Sequence, residues 1–284
     1  MAKNLAFTTT PSHTLRKDKG EHKVPVVLIH GWGLNSGVWQ PLLELLSAQD
    51  DTPFEYITVD LPGFGQNSEL TLTPYSLGNI CETLNKTLTR PAIYLGWSLG
   101  GLVATHMALH HPNKVLGLIT VASSPYFVEE EYQQNNTIWP GIKSHVLTSF
   151  HQQLAQDTAK TITGFLKIQA MGSPHIRQDL KLITQLVMAH TLPNKKTLDE
   201  SLNLLSDSDL RIQLKTIKQP FLRLYGNNDS LVPKKVIKLI NDLAPKSEQH
   251  TFMQASHAPF ISHLDDFHQV LKAWLVAHFL NSTS

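Results

Sequence analysis

The pentapeptide Gly96-Trp97-Ser98-Leu99-Gly100 constrains the fold of this chain more than any other stretch. A short β-rich run precedes it, and an apolar helical pattern over residues 102–109 follows it. G-x-S-x-G between a strand and a helix is typical of a sharp turn that holds a nucleophilic serine clear of a parallel sheet. Glycine is needed at both ends because a side chain there would collide with the neighbouring strand and helix. A chance Gly/Ser turn is the alternative, so the rest of the chain must supply the context.

Strand patterns alternate with helix patterns on both sides of this turn. Apolar runs at 24–29, 56–60 and 115–122 predict strands, and helical patterns separate them. Two more strand patterns, at 220–226 and 249–253, occur near the end of the chain. Strands that alternate with helices are typical of an α/β protein with a mostly parallel, doubly wound sheet.

The middle of the chain has a different pattern, because residues 126–209 contain no clear strand run and their apolar residues recur at helical spacing. Proline and glycine turns divide this segment into four predicted helices, at about 143–156, 158–171, 175–190 and 197–206. We interpret residues 126–209 as a helical lid inserted into a core made of residues 1–125 and 210–284. A second, independent helical domain is the alternative.

A serine nucleophile needs a base, and the base needs an acid to orient it. On a parallel sheet of this kind the acid and then the histidine are expected at the carboxyl ends of later strands. Asp229 follows the predicted strand at 220–226, and His257 follows the one at 249–253. The sequence therefore predicts a triad of Ser98, His257 and Asp229.

Other acids and histidines occupy less suitable positions. Asp60 precedes the serine and is expected to accept backbone N–H groups of its own turn. Asp207 and Asp209, at the exit of the lid, are expected to be solvated or to cap a helix. His263 begins a helix, so a capping or surface role is expected. Three histidines of the helix that follows Ser98 are interpreted as structural: His106, His110 and His111.

Acyl transfer also requires two donors that stabilise the developing oxyanion, and these are commonly backbone N–H groups. One is expected from Leu99, the residue after the nucleophile. The other is expected from Trp32, in the glycine-rich loop that follows the strand at 24–29. The Trp32 indole is then expected to form part of the acyl pocket wall. A purely structural core tryptophan is the alternative.

Composition argues against several other classes of protein. Lys and Arg number 24 and Asp and Glu 23, a balance that does not suit a general nucleic-acid binder. The single cysteine, Cys81, excludes an internal disulfide and fits a reducing compartment. No apolar stretch resembles a signal peptide or a membrane span. We expect a cytoplasmic monomer that binds neither membranes nor nucleic acid and needs no metal or organic cofactor.

The motifs together resemble those of the α/β-hydrolase superfamily, with a closer resemblance to the pimeloyl-[acyl-carrier protein] methyl ester esterases of biotin synthesis. The resemblance extends over about residues 24–275. It rests on the catalytic motifs and on longer strings around them: His30-Gly31-Trp32-Gly33-Leu34-Asn35, Val121-Ala122-Ser123-Ser124-Pro125, Trp139-Pro140-Gly141-Ile142-Lys143, Phe221-Leu222-Arg223-Leu224-Tyr225-Gly226 and His257-Ala258-Pro259-Phe260-Ile261-Ser262-His263.

This resemblance implies an α/β-hydrolase fold and a serine carboxylesterase that releases methanol from the ω-methyl ester of a pimeloyl chain on acyl carrier protein. It implies that Ser98 is the nucleophile, His257 the base and Asp229 the orienting acid. It also implies that Trp32 and Leu99 contact the ester carbonyl oxygen. Five consecutive lid residues are implied to line the acyl site: Phe165, Leu166, Lys167, Ile168 and Gln169.

The lid carries an excess of basic residues, which by itself usually indicates only a solvated face. The resemblance implies that Lys160, Arg177 and Lys181 contact the acidic carrier protein. Gly164 occupies a position at which the family usually has arginine. The segment before Val24 and the insertion at 129–136 are also longer than usual, and the sequence explains neither.

Two other functions remain open from the sequence. A broad short-chain carboxylesterase or thioesterase would use the same triad. A binding protein with a hydrolase fold would have the same motifs but would hydrolyse esters only slowly. Dehalogenase or epoxide hydrolase chemistry is disfavoured, because those mechanisms use an aspartate where this chain has Ser98.

Overall fold

The computed structural model describes residues 5–9, 23–48, 52–132 and 137–280. Nine strands occur in these ranges: β1 Phe7–Thr9, β2 Val24–Ile29, β3 Phe54–Val59, β4 Ala92–Trp97, β5 Val115–Val121, β6 Glu130–Tyr132, β7 Thr137–Trp139, β8 Phe221–Gly226 and β9 Glu248–Phe252. Seven of them form one sheet in the order β1-β3-β2-β4-β5-β8-β9. β1 pairs antiparallel with β3, and every other pairing in this sheet is parallel. The predicted α/β architecture is confirmed.

The central strands are buried on both faces of the sheet. All residues of β4 and β8 are buried, as expected for parallel strands covered by helices on either side. The α-helices are α1 Gln40–Ser47, α2 Leu77–Thr87, α3 Leu99–His110, α4 Ser144–Gln156, α5 Thr158–Ala170, α6 Ile176–Met188, α7 Lys195–Asp207, α8 Lys235–Leu243, α9 Pro259–Ser262 and α10 Leu264–Phe279. No helix in the described ranges is long and apolar enough to span a bilayer.

The four helices expected in the lid, residues 126–209, are α4 to α7, and they lie between β5 and β8. Side chains at the preceding residue cap two of them, because Asp157 accepts the N–H of Lys160 and Asn194 accepts that of Thr197. The expectation of no strand in this segment is wrong, since β6 and β7 form a short hairpin. Three-residue strands are too short to give a readable alternation. Residues 133–136 of the insertion expected at 129–136, and most of the segment before Val24, lie outside the described residues.

Arg211 joins the two ends of the lid. Its guanidinium pairs with Glu130, which precedes the first lid helix, and with Asp209, which follows the last. It lies 4.2 Å from the centre of the Tyr126 ring and 5.1 Å from that of Trp139. Asp209 is exposed, as expected, and its carboxylate accepts the Arg211 N–H at 3.0 Å. The sequence does not indicate that Asp209 also takes part in a cluster that joins the two ends of the segment at 126–209.

At the turn between β4 and α3, backbone segments approach too closely for a side chain to fit between them. A Cβ atom on Gly96 would lie 2.0 Å from the carbonyl oxygen of Gly100, and one on Gly100 would lie 2.4 Å from that of Ile29. Gly164, within α5, contrasts with both, because nothing lies within 4 Å of a Cβ atom placed there.

Gly96→Ala is therefore expected to destabilise the fold strongly, because backbone atoms cannot rotate away from the added methyl group. We expect a loss of about 3 kcal/mol in the free energy of unfolding, measured by urea denaturation. Gly164→Ala is the matched control and should raise that free energy by roughly 0.5–1 kcal/mol. An unchanged urea midpoint for Gly96→Ala would contradict the close approach of β4 and α3.

The histidines of α3 form a structural cluster, as the sequence interpretation held. His106 and His110 are spaced H-x-x-x-H, and their rings stack with centroids 3.9 Å apart. Burial, together with the neighbouring His110 and His111, lowers the pKa of His106 to about 4. Within the described residues no group of three or more His, Cys, Asp or Glu is arranged to hold a metal ion.

This lowered pKa predicts acid sensitivity. The unfolded chain binds a proton on His106 below about pH 6.5, whereas the folded protein resists it until about pH 4. The free energy of unfolding should therefore fall as the pH is lowered from 6.5 towards 4. His106→Gln should reduce that slope in urea titrations at several pH values. His145→Gln, a change at an exposed histidine on α4, should keep the wild-type slope, and equal slopes in both variants would contradict the prediction.

Candidate active site

Ser98 lies at the turn between β4 and α3, in a backbone conformation that non-glycine residues rarely adopt (φ 55°, ψ −117°). Its N–H donates to the carbonyl of Val121 on β5 at 2.9 Å. Its own carbonyl accepts the Ser123 hydroxyl at 2.8 Å. The turn is thus fixed from the neighbouring strand, and the side chain is held at the carboxyl end of the sheet. Ser98 is only 2% exposed.

Asp229 and His257 lie where the sequence predicts them, in the loops that follow β8 and β9. The Asp229 carboxylate Oδ2 is 2.8 Å from His257 Nδ1. Its other oxygen accepts the N–H groups of Leu231 and Val232 at 2.8 and 3.0 Å. The carboxylate is therefore fixed, and it favours the imidazole tautomer with the proton on Nδ1.

This tautomer leaves Nε2 of His257 as the basic nitrogen. Nε2 is buried and has no hydrogen-bond partner among the described residues. Catalytic hydrogen bonds in ligand-free enzymes are often long and tighten only when substrate binds. Trp97, the residue before Ser98, donates its indole N–H to the His257 carbonyl at 2.8 Å, which ties the base loop to the serine turn.

The loop at residues 30–33 passes directly beside Ser98. A Cβ atom on Gly31 would lie 3.3 Å from Cβ of Ser98. Leu99 begins α3, so its N–H is one of the first-turn donors that a helix leaves without an intrahelical acceptor. Leu99 and the loop that carries Trp32 therefore lie next to the serine on two different elements, and their role as oxyanion donors stays a prediction.

The Trp32 indole connects the loop at residues 30–33 to the helices α5 and α7. It is fully buried, its N–H donates to the Leu198 carbonyl at 3.0 Å, and its ring meets Phe165 edge-on at 4.8 Å. The ring has the burial of a core tryptophan and also touches one of the expected acyl-site residues.

His30 and Asp60 hold the loop that follows β2 in place, a role that sequence reasoning missed for His30. The His30 ring contacts the Gly31 carbonyl through Nδ1 at 2.8 Å and accepts the Leu61 N–H through Nε2 at 3.0 Å. Burial lowers the pKa of His30, in keeping with a neutral ring. Asp60 accepts the N–H groups of Ser36 and Gln66, so its expected role as a turn acceptor is confirmed.

The five expected acyl-site residues divide by their position on α5. Phe165, Leu166 and Gln169 are buried, and Ile168 packs against the hydrophobic core. Lys167 is exposed, because it lies on the opposite face of the helix. The structure therefore separates Lys167 from the buried members of this set, and its place in the acyl wall stays a prediction. Gln169 is fully buried, and neither its amide oxygen nor its amide nitrogen has a partner within the described chain. The site thus contains one unused donor and acceptor.

The outer face of α5 and α6 is basic. Lys160, Lys167, Arg177 and Lys181 are all exposed. None of these four side chains forms an ion pair within the described part of the chain. The nearby Asp179 is buried and accepts the Ser173 hydroxyl, so it does not neutralise this surface. Lys160, Arg177 and Lys181 thus face solvent, and their contact with a carrier protein stays a prediction.

The remaining competitors stay outside the site. Asp207 accepts the Ser206 hydroxyl at 2.7 Å on the exposed end of α7. His263 precedes α10 but its side chain makes no cap hydrogen bond, and its Nδ1 lies 2.9 Å from the Ser262 hydroxyl.

Solved structures share this fold at low sequence identity. An esterase from Exiguobacterium antarcticum covers 95% of this chain with a TM-score of 0.79 and 20% identity, over 95% of its own length. A thermophilic esterase from Thermogutta terrifontis covers 96% of this chain and 93% of its own, with a TM-score of 0.73 and 20% identity. At such identities the likeness concerns the fold alone.

Sequence relatives are much closer. A pimeloyl-[acyl-carrier protein] methyl ester esterase from Photobacterium profundum is 48% identical over 251 residues, which span 88% of this chain and 94% of that protein. A protein of the same name from Vibrio cholerae is 47% identical over 246 residues, spanning 87% and 92%. The family model for the α/β-hydrolase fold matches residues 24–264. With that match and these relatives, the chain belongs to the α/β-hydrolase family.

Proposed function

We propose that this chain is a serine carboxylesterase that hydrolyses the methyl ester of pimeloyl-[acyl-carrier protein], giving methanol and the free ω-carboxylate for biotin synthesis. The observation that carries the proposal is the buried hydrogen bond between Asp229 and His257 beside the strained Ser98 turn. The substrate is supported by relatives of that name, which are nearly half identical to this chain over most of its length.

The geometry suits acylation of Ser98. His257 Nε2 takes the hydroxyl proton as Ser98 Oγ attacks the ester carbonyl carbon. The N–H groups of Trp32 and Leu99 stabilise the negative charge on the carbonyl oxygen. The tetrahedral intermediate collapses, and His257 returns the proton to the departing methoxide, which leaves as methanol. Asp229 stabilises the imidazolium throughout without taking its proton.

Deacylation reverses the same proton transfers. Water donates a proton to His257 Nε2 as its oxygen attacks the acyl-enzyme, and His257 then protonates Ser98 Oγ as that bond breaks. The product is a carboxylic acid that ionises at neutral pH. The chain's own residues supply every group that these steps require.

The lid, which we assign to residues 126–209, covers the reacting groups and forms the acyl pocket. Phe165 packs on Trp32, and the amide of Gln169 is available to a polar group of the substrate. A buried amide without a partner is costly, so a ligand that satisfies it gains affinity. Both Ser98 and His257 are buried, so the lid must open to admit substrate.

The basic face of α5 and α6 suits an acidic carrier protein. Its four cations, Lys160, Lys167, Arg177 and Lys181, have no acidic partner in the described chain and are available to one on another protein. Complementary charge mainly raises the association rate and fixes the orientation of the partner. Lys167 thus belongs to the proposed docking surface.

The proposal retains the expectation of a cytoplasmic monomer.

The single cysteine, Cys81, is buried, and burial raises the pKa of its thiol. A thiol in this state is a poor nucleophile, so Cys81 does not compete with Ser98.

Removal of a triad group tests the mechanism. Ser98→Ala and Asp229→Asn should each lower kcat by about 10⁴-fold or more, since the first removes the nucleophile and the second favours the wrong imidazole tautomer. The assay is methanol release from pimeloyl-[acyl-carrier protein] methyl ester. Asp207→Asn, an exposed change at the end of α7, is the matched control and should retain wild-type kcat. Substantial turnover by Ser98→Ala would exclude the proposed mechanism, and slow turnover by the wild type would favour a binding protein.

Removal of basic charge tests the carrier. Arg177→Ala and Lys181→Ala should each raise KM for the carrier-bound ester about 2- to 5-fold, and the effect should shrink with added salt. KM for free dimethyl pimelate should not change. Lys218→Ala removes an exposed cation outside the lid and serves as control. Gly164→Arg should lower KM for the carrier-bound ester, because the added side chain meets open space.

The same comparison distinguishes the esterase alternatives. Wild-type cleavage of the carrier-bound ester well above that of the free diester supports the proposal. Equal or faster cleavage of the free diester, with no effect of the basic residues, would leave a broad carboxylesterase with the same triad.

A further inference from the structure

The turn that follows α5, residues 171–173, touches both loops that carry the acid and the base. The Ser256 hydroxyl donates to the Met171 carbonyl at 2.5 Å. The Asn228 side-chain amide donates to the Gly172 carbonyl at 3.0 Å. Ser256 immediately precedes His257, and Asn228 immediately precedes Asp229, so each contact is one residue away from a triad member.

A third hydrogen bond joins the base itself to the same helix. The His257 N–H donates to the Gln169 carbonyl at 3.3 Å. Gly172 adopts a positive φ of 99°, and a Cβ atom there would lie 2.9 Å from the Asn228 carbonyl oxygen. The lid turn therefore lies directly on the backbone of the acid loop.

The acid and base loops also have a connection that does not involve the lid. The Asn228 N–H donates to the Ala255 carbonyl at 2.9 Å, and the Asn227 N–H donates to that of Phe252 at 3.0 Å. These backbone bonds join the loops after β8 and β9 without any contribution from residues 169–172.

We propose that Ser256 and Asn228 are positioning residues that latch the closed lid onto the loops of His257 and Asp229, and so couple closure of the site to alignment of the triad. The inference rests on the proposed function. Neither side chain touches the substrate; they act through the turn at 171–173. Ser256 is buried, so its hydroxyl has no access to bulk water while the latch is closed.

The latch explains how one movement controls both access and chemistry. Opening removes Gln169 and Phe165 from the pocket, since both belong to the helix that the latch holds. It also takes away the carbonyl that accepts the His257 N–H. Closure around an acyl chain restores all three bonds, so the triad is fully supported only when the pocket is shut.

The test measures lid opening and serine reactivity separately in the full-length protein. Ser256→Ala, Asn228→Ala and the double variant are compared with wild type by hydrogen–deuterium exchange of the segment at 165–173. Reactivity is the rate at which a fluorophosphonate labels Ser98. Each lost hydrogen bond should speed exchange in that segment about 2- to 10-fold. At a saturating probe concentration, where access does not limit the rate, it should slow labelling to a similar extent, because the triad is less often aligned; faster labelling under these conditions would overturn the latch. Exchange in β4 and β8 should not change.

Two further variants sharpen the comparison. Ser262→Ala removes a hydroxyl of α9 that makes no contact with residues 169–173 and should behave as wild type. Ser256→Thr keeps the hydroxyl and should restore labelling relative to Ser256→Ala, which a loss of folding would not explain.

The outcomes separate the two proposals. Wild-type exchange and labelling in the double variant would overturn the latch while leaving the esterase proposal intact. Failure of the wild-type protein to be labelled at Ser98 would overturn the proposed function itself. If the double variant is unstable, the single variants and Ser256→Thr decide, because exchange that rises throughout the core in each of them would also overturn the latch.

Discussion

The close approach of β4 and α3 is the constraint on which the rest of the structure depends. Two backbones meet where Gly96 faces the Gly100 carbonyl, and no side chain fits between them. The sharp turn that results places Ser98 in a strained conformation at the carboxyl end of the sheet. Strain of this kind persists only where surrounding contacts over-determine it, and here β5 supplies them through Val121 and Ser123. The loops after β2, β8 and β9 need only reach the same edge of the sheet to meet the serine.

Burial determines how the remaining groups behave. The Asp229 carboxylate is removed from water, yet three donors satisfy it, so it stays a fixed acceptor for His257. The unpartnered Gln169 amide and the free Nε2 of His257 are the opposite case, because both are buried without a partner in the described chain. Polar groups left in this state are costly for folding and useful for binding. Gln169 lies on α5 and His257 in the loop after β9, and the proposed substrate would supply the partners that the described chain does not.

The sequence predicts the sheet, the four lid helices and the location of Ser98, Asp229 and His257, because each depends on local pattern or on strand order. It does not predict contacts between distant segments. Nothing in the local pattern around Arg211 indicates that it pairs with Glu130, 81 positions earlier. The outward position of Lys167 depends on how α5 is rotated, which packing on Trp32 decides. The local pattern marks His30 only as the residue before Gly31. Its role depends on the hydrogen bond that it accepts from the Leu61 N–H, which belongs to a different loop. The hairpin of β6 and β7 is too short for periodicity to detect.

The Arg211 cluster has a consequence for the conformational freedom of the inserted segment. Because one guanidinium holds Glu130 and Asp209 together, the entry and the exit of that segment meet at a common point. The helices α4 to α7 are therefore enclosed in a loop whose ends are joined by ion pairs as well as by the sheet. The entropy of bringing those ends together is lost when the protein folds.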